Sequence, residues 1–298
     1  MNRVDFPFKD DALASSAAAR SRSIGAILVD AGYLTSKNAE LVLREQQLHG
    51  KRFGDAAIAL GLLTEEDLSF ALSSQFDYPY LPASDPSLSQ ELVAAYKPFS
   101  PTVEQLRALS SQLILRGFNT EENHTSLAIV SPGKGDGRSF IAANLAIVFS
   151  QLGERTLLID GNLRTPRLHE LFNLGNGSGL SELLAGRSTA EVIVRIPALI
   201  GLSLLAAGAV PPNPQELLGR PMFAKTLRSL EQAFDVIIID TPAAIDYADA
   251  QIIAARASTA LILARNNQTS LPDVTRLSRS LQESGTSIVG SMLNDIKN

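Results

Sequence analysis

Cysteine and tryptophan are absent from the 298 residues, and histidine occurs only at His49, His124 and His169. There is thus no disulfide, thiolate metal site or cysteine nucleophile, and three scattered imidazoles do not make a structural zinc centre. Basic charge is also scarce: Lys plus Arg number 26 against 31 acids, a net charge of -5. That balance gives no electrostatic case for nucleic acid as a partner. The N-terminus carries Asp5, Asp10 and Asp11 where a signal peptide needs a basic head and an unbroken apolar stretch. The one long charge-free run, Ile196 to Gln215, is interrupted by Pro197, Gly201, Gly208, Pro211, Pro212 and Pro214. It reads as a strand around Leu202 to Leu205 and a Pro-rich loop, not as a membrane helix. What remains is a globular balance, 45% hydrophobic against 19% charged, with length for two domains.

Residues 1–20 are small and polar without period, and read as a flexible lead. Residues 21–82 form a separate module with an internal duplication. IGAILVDAGYLTSKNAELVLREQQ (24–47) aligns with FGDAAIALGLLTEEDLSFALSSQF (53–76), matching Gly32 to Gly61, Thr35 to Thr64 and Gln46 to Gln75. In each copy a helix ends at the glycine, which tolerates a left-handed turn, and the threonine caps the next helix. Two such hairpins can bury their Leu/Ala faces on each other. The stretch 83–101, with Pro86, Pro98 and Pro101, has linker composition.

From 102 to 298 the pattern changes. Short apolar runs, SLAIVS (126–131), RTLLID (155–160), FDVIIID (234–240) and ALILAR (260–265), alternate with helical stretches. A parallel sheet buried on both faces demands such runs, so the fold expected is α/β, a phosphate-loop sheet flanked by helices after a small helical domain.

SPGKGDGRSF (131–140) joins the first run to a helix, where loop amides can enclose phosphate oxygens. Its candidate nucleotide contacts are Gly133, Lys134, Gly135, Asp136, Gly137, Arg138, Ser139 and Phe140. Arg138 stands where such loops usually carry lysine, keeping positive charge near the β- and γ-phosphates on a larger planar fork. Ser139 is the expected magnesium ligand. Asp160 and Asp240 end buried strands where ligands bind in open α/β sheets; one such acid steers magnesium and the other orients or deprotonates an acceptor. Arg138, Asp160 and Asp240 are the candidate catalytic residues, and Ser139, Asp160 and Asp240 the candidate metal set.

These motifs, with LLIDGNLRTPRLHELF (157–172), GLSELLAG (179–186) and LLAAGAVPPNPQELL (204–218), resemble the bacterial tyrosine kinase family over residues 100–298. The resemblance implies ATP or ADP and Mg²⁺ as cofactors, phosphoryl transfer to tyrosine, and control of exopolysaccharide chain length and export. It further implies homo-oligomers, a membrane chain-length determinant protein as partner, and a cytoplasmic chain peripheral to the inner membrane through that partner. Ser139 matches the family's magnesium ligand, Asp160 its catalytic acid and Asp240 the acid of its third motif, while the second acid of the strand-end motif falls on Asn162. Glu104 and Arg107 match a subunit-contact element whose last Arg falls on Ser110; an ion pair within one solvated helix is the alternative. The family's tyrosine cluster has no counterpart after Tyr247 in this sequence.

The duplicated module is similar to the N-terminal domain of type II secretion ATPases, some of which bind cyclic di-GMP. That resemblance makes Arg52 the candidate dinucleotide contact, with partner docking by the helical faces as the other use. Two further readings stay open for the whole chain: a non-catalytic, nucleotide-responsive scaffold, and a positioning-type phosphate-loop ATPase.

Overall fold

The computed structural model describes residues 23–65, 67–68, 71, 80–82, 84–116, 118, 125–188 and 190–295. The expected lead, 1–20, lies outside them. The N-terminal module begins with α1 (Ile24–Asp30), α2 (Ser36–His49) and α3 (Phe53–Ala59). Its duplication is visible in the turns. Gly32 and Gly61 both have positive φ, Thr35 Oγ1 accepts the Asn38 N–H, and Thr64 exchanges bonds with Asp67 in a reciprocal cap. Leu28, Leu34, Val42, Ala56, Ala57, Leu63 and Ala71 form its own small core.

The second region contains α4 (Val93–Tyr96), α5 (Pro101–Leu115), β1 (Ser126–Val130), α6 (Arg138–Gln151), β2 (Thr156–Asp160), α7 (Leu168–Leu171) and α8 (Leu180–Leu184). It continues with β3 (Ile193–Arg195), β4 (Leu202–Leu205), α9 (Pro214–Gly219), α10 (Pro221–Leu230), β5 (Val236–Asp240), α11 (Asp249–Ala257), β6 (Thr259–Arg265), α12 (Leu271–Glu283) and β7 (Ser287–Asn294). The strands make a seven-stranded sheet in the order β3-β4-β2-β5-β1-β6-β7. All pairings are parallel except β3 with β4.

Side chains alternate across the sheet, so each apolar run feeds two cores. Leu127, Ile129, Val236 and Ile238 enter the core shared with α5 and α6. Ala128, Val130, Ile237 and Ile239 enter the core on the opposite face, shared with α10 and α11. That is why β1, β2 and β5 read as unbroken hydrophobic stretches. Among the described residues no helix is long and apolar enough to cross a membrane, and the expected strand at Leu202–Leu205 is β4.

The expected linker differs from its composition. In 84–100, Leu92, Ala94 and Ala95 are fully buried and Leu88 and Tyr96 nearly so, all within the core that holds α6. Asn144 of α6 accepts the Ala94 N–H and donates to the Glu91 carbonyl, while Tyr96 Oη bonds the Leu88 backbone in both directions. Prolines there shape a fitted strap. Burying one leucine fully contributes about 1.5–3 kcal/mol, and the two leucines of this strap hold it in place.

A candidate nucleotide cleft at the strand ends

Strands β2, β5 and β1 lie side by side, and their register sets Asp160 against Asp240 and Asp240 against Ile129. Both acids therefore arrive at the same C-terminal end of the sheet, under the turn that leaves β1. The close approach needs Gly161, whose N–H donates to the Asp240 carbonyl; a Cβ there would lie 2.6 Å from that oxygen. The loop then closes through Gly135 and Gly137, at φ +75° and +98°, where side chains are disfavoured. Gly137 caps α6, so the positive helix start opens onto a cleft of about 1290 Å³.

Lys134, Gly135, Gly137, Arg138, Ser139 and Phe140 all line that cleft. Gly133 and Asp136 are placed behind it. The Asp136 carboxylate accepts the Gly133 N–H at 2.8 Å and the Thr269 hydroxyl at 3.0 Å, and Asn294 Nδ2 donates to its carbonyl at 2.9 Å. Asp136 thus staples the loop to β7 and to the segment after β6. Arg138 is nearly buried, at 9% exposed. Its Nε donates to the Thr241 carbonyl at 2.8 Å and its Nη1 to Ser131 Oγ and the Gly133 carbonyl. Burial lowers its pKa from the ordinary guanidinium value, opposed by the charges of Asp240 and Asp136.

Ser139 Oγ donates to Asp240 Oδ2 at 2.5 Å, and Asp240 Oδ1 is buried without a hydrogen-bond partner. Burial pushes this carboxyl up to about 6, against the Ser139 bond and the Arg138 charge. Asp160 rises further, to about 7, through burial and then the Asp240 charge. Its oxygens accept three main-chain amides, from Asn162 at 3.2 Å, Arg167 at 3.1 Å and Leu168 at 3.0 Å. Fully buried and so bonded, Asp160 organises the loop 161–168; neither it nor Asp240, also fully buried, lines the cleft, but Asp240 reaches it through Ser139, which does. Asn162 lines it, yet its side chain folds into its own turn, donating to the Thr165 carbonyl at 2.8 Å and accepting the Thr165 N–H at 3.1 Å.

The rim is built from cations. Lys134 Nζ lies 3.0 Å from Asp246 Oδ2. Arg164 grips fully buried Asp249 at 2.7 and 3.2 Å. Arg167 pairs with Glu91 of the strap. Of these, Arg164 and Arg167 lie inside the motif 157–172, whereas Glu91, Asp246 and Asp249 carry no local signal. They meet by chain folding, Arg164 and Asp249 lying 85 positions apart.

Glu104 and Arg107 do not line the cleft. They form an ion pair within α5, and Arg107 Nη2 donates to Tyr80 Oη at 3.0 Å. Arg52 precedes α3, is exposed, and makes no side-chain cap. Among the described residues no cluster of three His, Cys, Asp or Glu side chains has metal-site geometry.

Sheet order, loop and strand-end acids define a phosphate-loop nucleotide-binding protein. No family model matches the chain. Curated relatives do: CapB of Staphylococcus aureus, which carries a tyrosine-protein kinase name, is 33% identical over 198 residues, covering 66% of this chain and 86% of CapB. EpsB of Ralstonia nicotianae, with a like name, is 34% identical over 206 residues, covering 69% of this chain and 27% of EpsB. The chain thus spans about a quarter of the length of that longer relative. The kinase domain of the Escherichia coli tyrosine kinase ETK superposes with a TM-score of 0.65 at 30% identity, covering 73% of this chain and 81% of that one. The chain belongs to the bacterial tyrosine kinase family.

Proposed function

We propose that the cleft binds ATP with Mg²⁺ and that the chain transfers the terminal phosphoryl group to a tyrosine hydroxyl, in the control of exopolysaccharide chain length and export. The observation that carries this reading is Asp240 Oδ1, a buried carboxylate oxygen without a partner beside the Ser139 hydroxyl at the end of the phosphate loop. A buried acid left unsatisfied is costly unless something binds it. Oxygen donors at a phosphate loop suit a hard divalent cation, so Ser139 and Asp240 would hold Mg²⁺, which when bound neutralises phosphate charge.

The remaining roles follow from position. Gly135, Gly137 and the first turn of α6 present amides to phosphate oxygens. Lys134, Arg164 and Arg167 ring the mouth and stabilise negative charge there. Arg138 acts as a positioning residue that ties the loop to the end of β5, and Asp160 as one that holds the loop bearing Asn162, Arg164 and Arg167. The implied partner is a membrane chain-length determinant, and the implied assembly a homo-oligomer; both rest on the family resemblance.

The scaffold reading has its own support. Asn162 consumes its amide in a local turn, and Arg138 spends donors on the protein's own acceptors. Purified chain incubated with labelled ATP, Mg²⁺ and a random Glu/Tyr copolymer separates the two. The kinase reading expects phosphotyrosine on the copolymer, lost in Asp240→Ala; nucleotide binding with neither transfer nor hydrolysis leaves the scaffold.

A further inference from the structure

Tyr247 is the only tyrosine among the described residues that lines the cleft, and it is 42% exposed. The others are engaged elsewhere: Tyr96 bonds the Leu88 backbone, Tyr80 accepts from Arg107, and Tyr33 belongs to the N-terminal module. The Tyr247 ring stacks on Arg164, the guanidinium carbon 3.5 Å from the ring centroid, and Arg164 is fixed from behind by buried Asp249. The neighbouring residue, Asp246, holds Lys134 of the phosphate loop at 3.0 Å. Lys134 is held above its ordinary pKa chiefly by the hydrogen bond and charge of Asp246, with a smaller contribution from Tyr247; Arg164 is raised by Asp249 and also by Tyr247. Two cations from two different loops therefore meet the Asp246–Tyr247 pair in the cleft, Arg164 on the ring and Lys134 on the adjoining carboxylate.

We propose that Tyr247 is a phosphoacceptor of this chain, taking the terminal phosphoryl group of a nucleoside triphosphate bound in the same cleft. The inference rests on the kinase reading above. The Tyr247 phenolic oxygen forms a bond to the γ-phosphorus, and the bond from that phosphorus to the β,γ-bridging oxygen breaks. Its electron pair stays on the departing diphosphate, and the phenolic proton passes to solvent in the open cleft. The product carries a charge of about -1.5 to -2 near pH 7. Lys134 and Arg164 can both donate charge-assisted hydrogen bonds to it, so the rim holds the phosphate once it is made and draws Lys134 away from Asp246.

The experiment incubates the full chain with ATP, Mg²⁺ and the Glu/Tyr copolymer, and maps phosphate on both by mass spectrometry. The expected result is phosphate on the peptide that carries Tyr247, lost in Tyr247→Phe and in the Ser139→Ala, Asp240→Ala double variant. The rate per chain should stay unchanged over a tenfold dilution of protein. Copolymer phosphorylated with Tyr247 bare, or phosphate only on other tyrosines, overturns the proposal and leaves the kinase reading standing. A rate that rises in proportion to protein concentration overturns transfer within one cleft. Neither substrate phosphorylated removes both readings.

Discussion

The floor and the rim of the cleft use polar groups in opposite ways. On the floor, Asp136, Arg138 and Asp160 are buried and bonded to main-chain groups or neighbouring hydroxyls, so their charges fix the shape of a loop. On the rim, Lys134, Arg167 and Glu91 are exposed and meet partners across segment boundaries. A buried charge loses much when its partner is removed, whereas an exposed pair loses little. The floor is thus a fixed mould, and the rim, apart from Arg164 on its buried partner Asp249, a set of exposed pairs able to change partners. Asp240 joins the two, since one oxygen is bonded and the other is not.

The sharpest break comes at Asp240. Asp240→Asn should cut phosphoryl transfer by about 10²-fold or more, the scale seen when a charge-stabilising group is lost. The same variant should raise resistance to urea in metal-free buffer at neutral pH, because it removes a buried charge. An inactive and less stable variant would mean that this oxygen is a structural acceptor.

The second test follows the sign of the raised pKa values. Asp160 at about 7 and Asp240 at about 6 sit above the ordinary carboxylate range because burial disfavours their charged forms. Groups raised on folding contribute stability that is complete below the unfolded pKa near 4 and lost as pH rises through the folded values. Metal-free unfolding midpoints should fall from about pH 4 to about pH 7, and the slope should flatten in the Asp160→Asn, Asp240→Asn double variant. A flat wild-type profile would contradict the burial argument.

Smaller effects separate floor from rim. Arg138→Ala leaves the Thr241 carbonyl without its donor and the Gly133 carbonyl with the Ser131 hydroxyl alone and should cost about 1–3 kcal/mol in urea unfolding. Gly161→Ala forces the Asp240 carbonyl away and should cost a similar amount, about 1–3 kcal/mol. Glu91→Gln, on the rim, should change stability by less than about 0.5 kcal/mol. A rim variant as damaging as Arg138→Ala would erase the distinction.

The sheet was legible because β1, β2 and β5 bury both faces and so write continuous apolar runs, and the loop because its glycines occupy positions that demand positive φ. Asp160 and Asp240 followed from lying at the ends of those runs. The fitted strap was not legible, since prolines look alike in a linker and in a segment packed by Leu88 and Leu92. Nor was the inward turn of Asp136 and Arg138, which depends on Thr269, Asn294 and Thr241, far along the chain. The Arg164–Asp249 pair was hidden for the same reason.

Calorimetric titration of the full chain with ATP in the presence of Mg²⁺ tests the central claim most directly. Saturable heat with one site per chain is expected, lost in the Ser139→Ala, Asp240→Ala double variant while its fold is retained by circular dichroism. A wild-type titration without saturable heat, or one unchanged in the double variant, would contradict it.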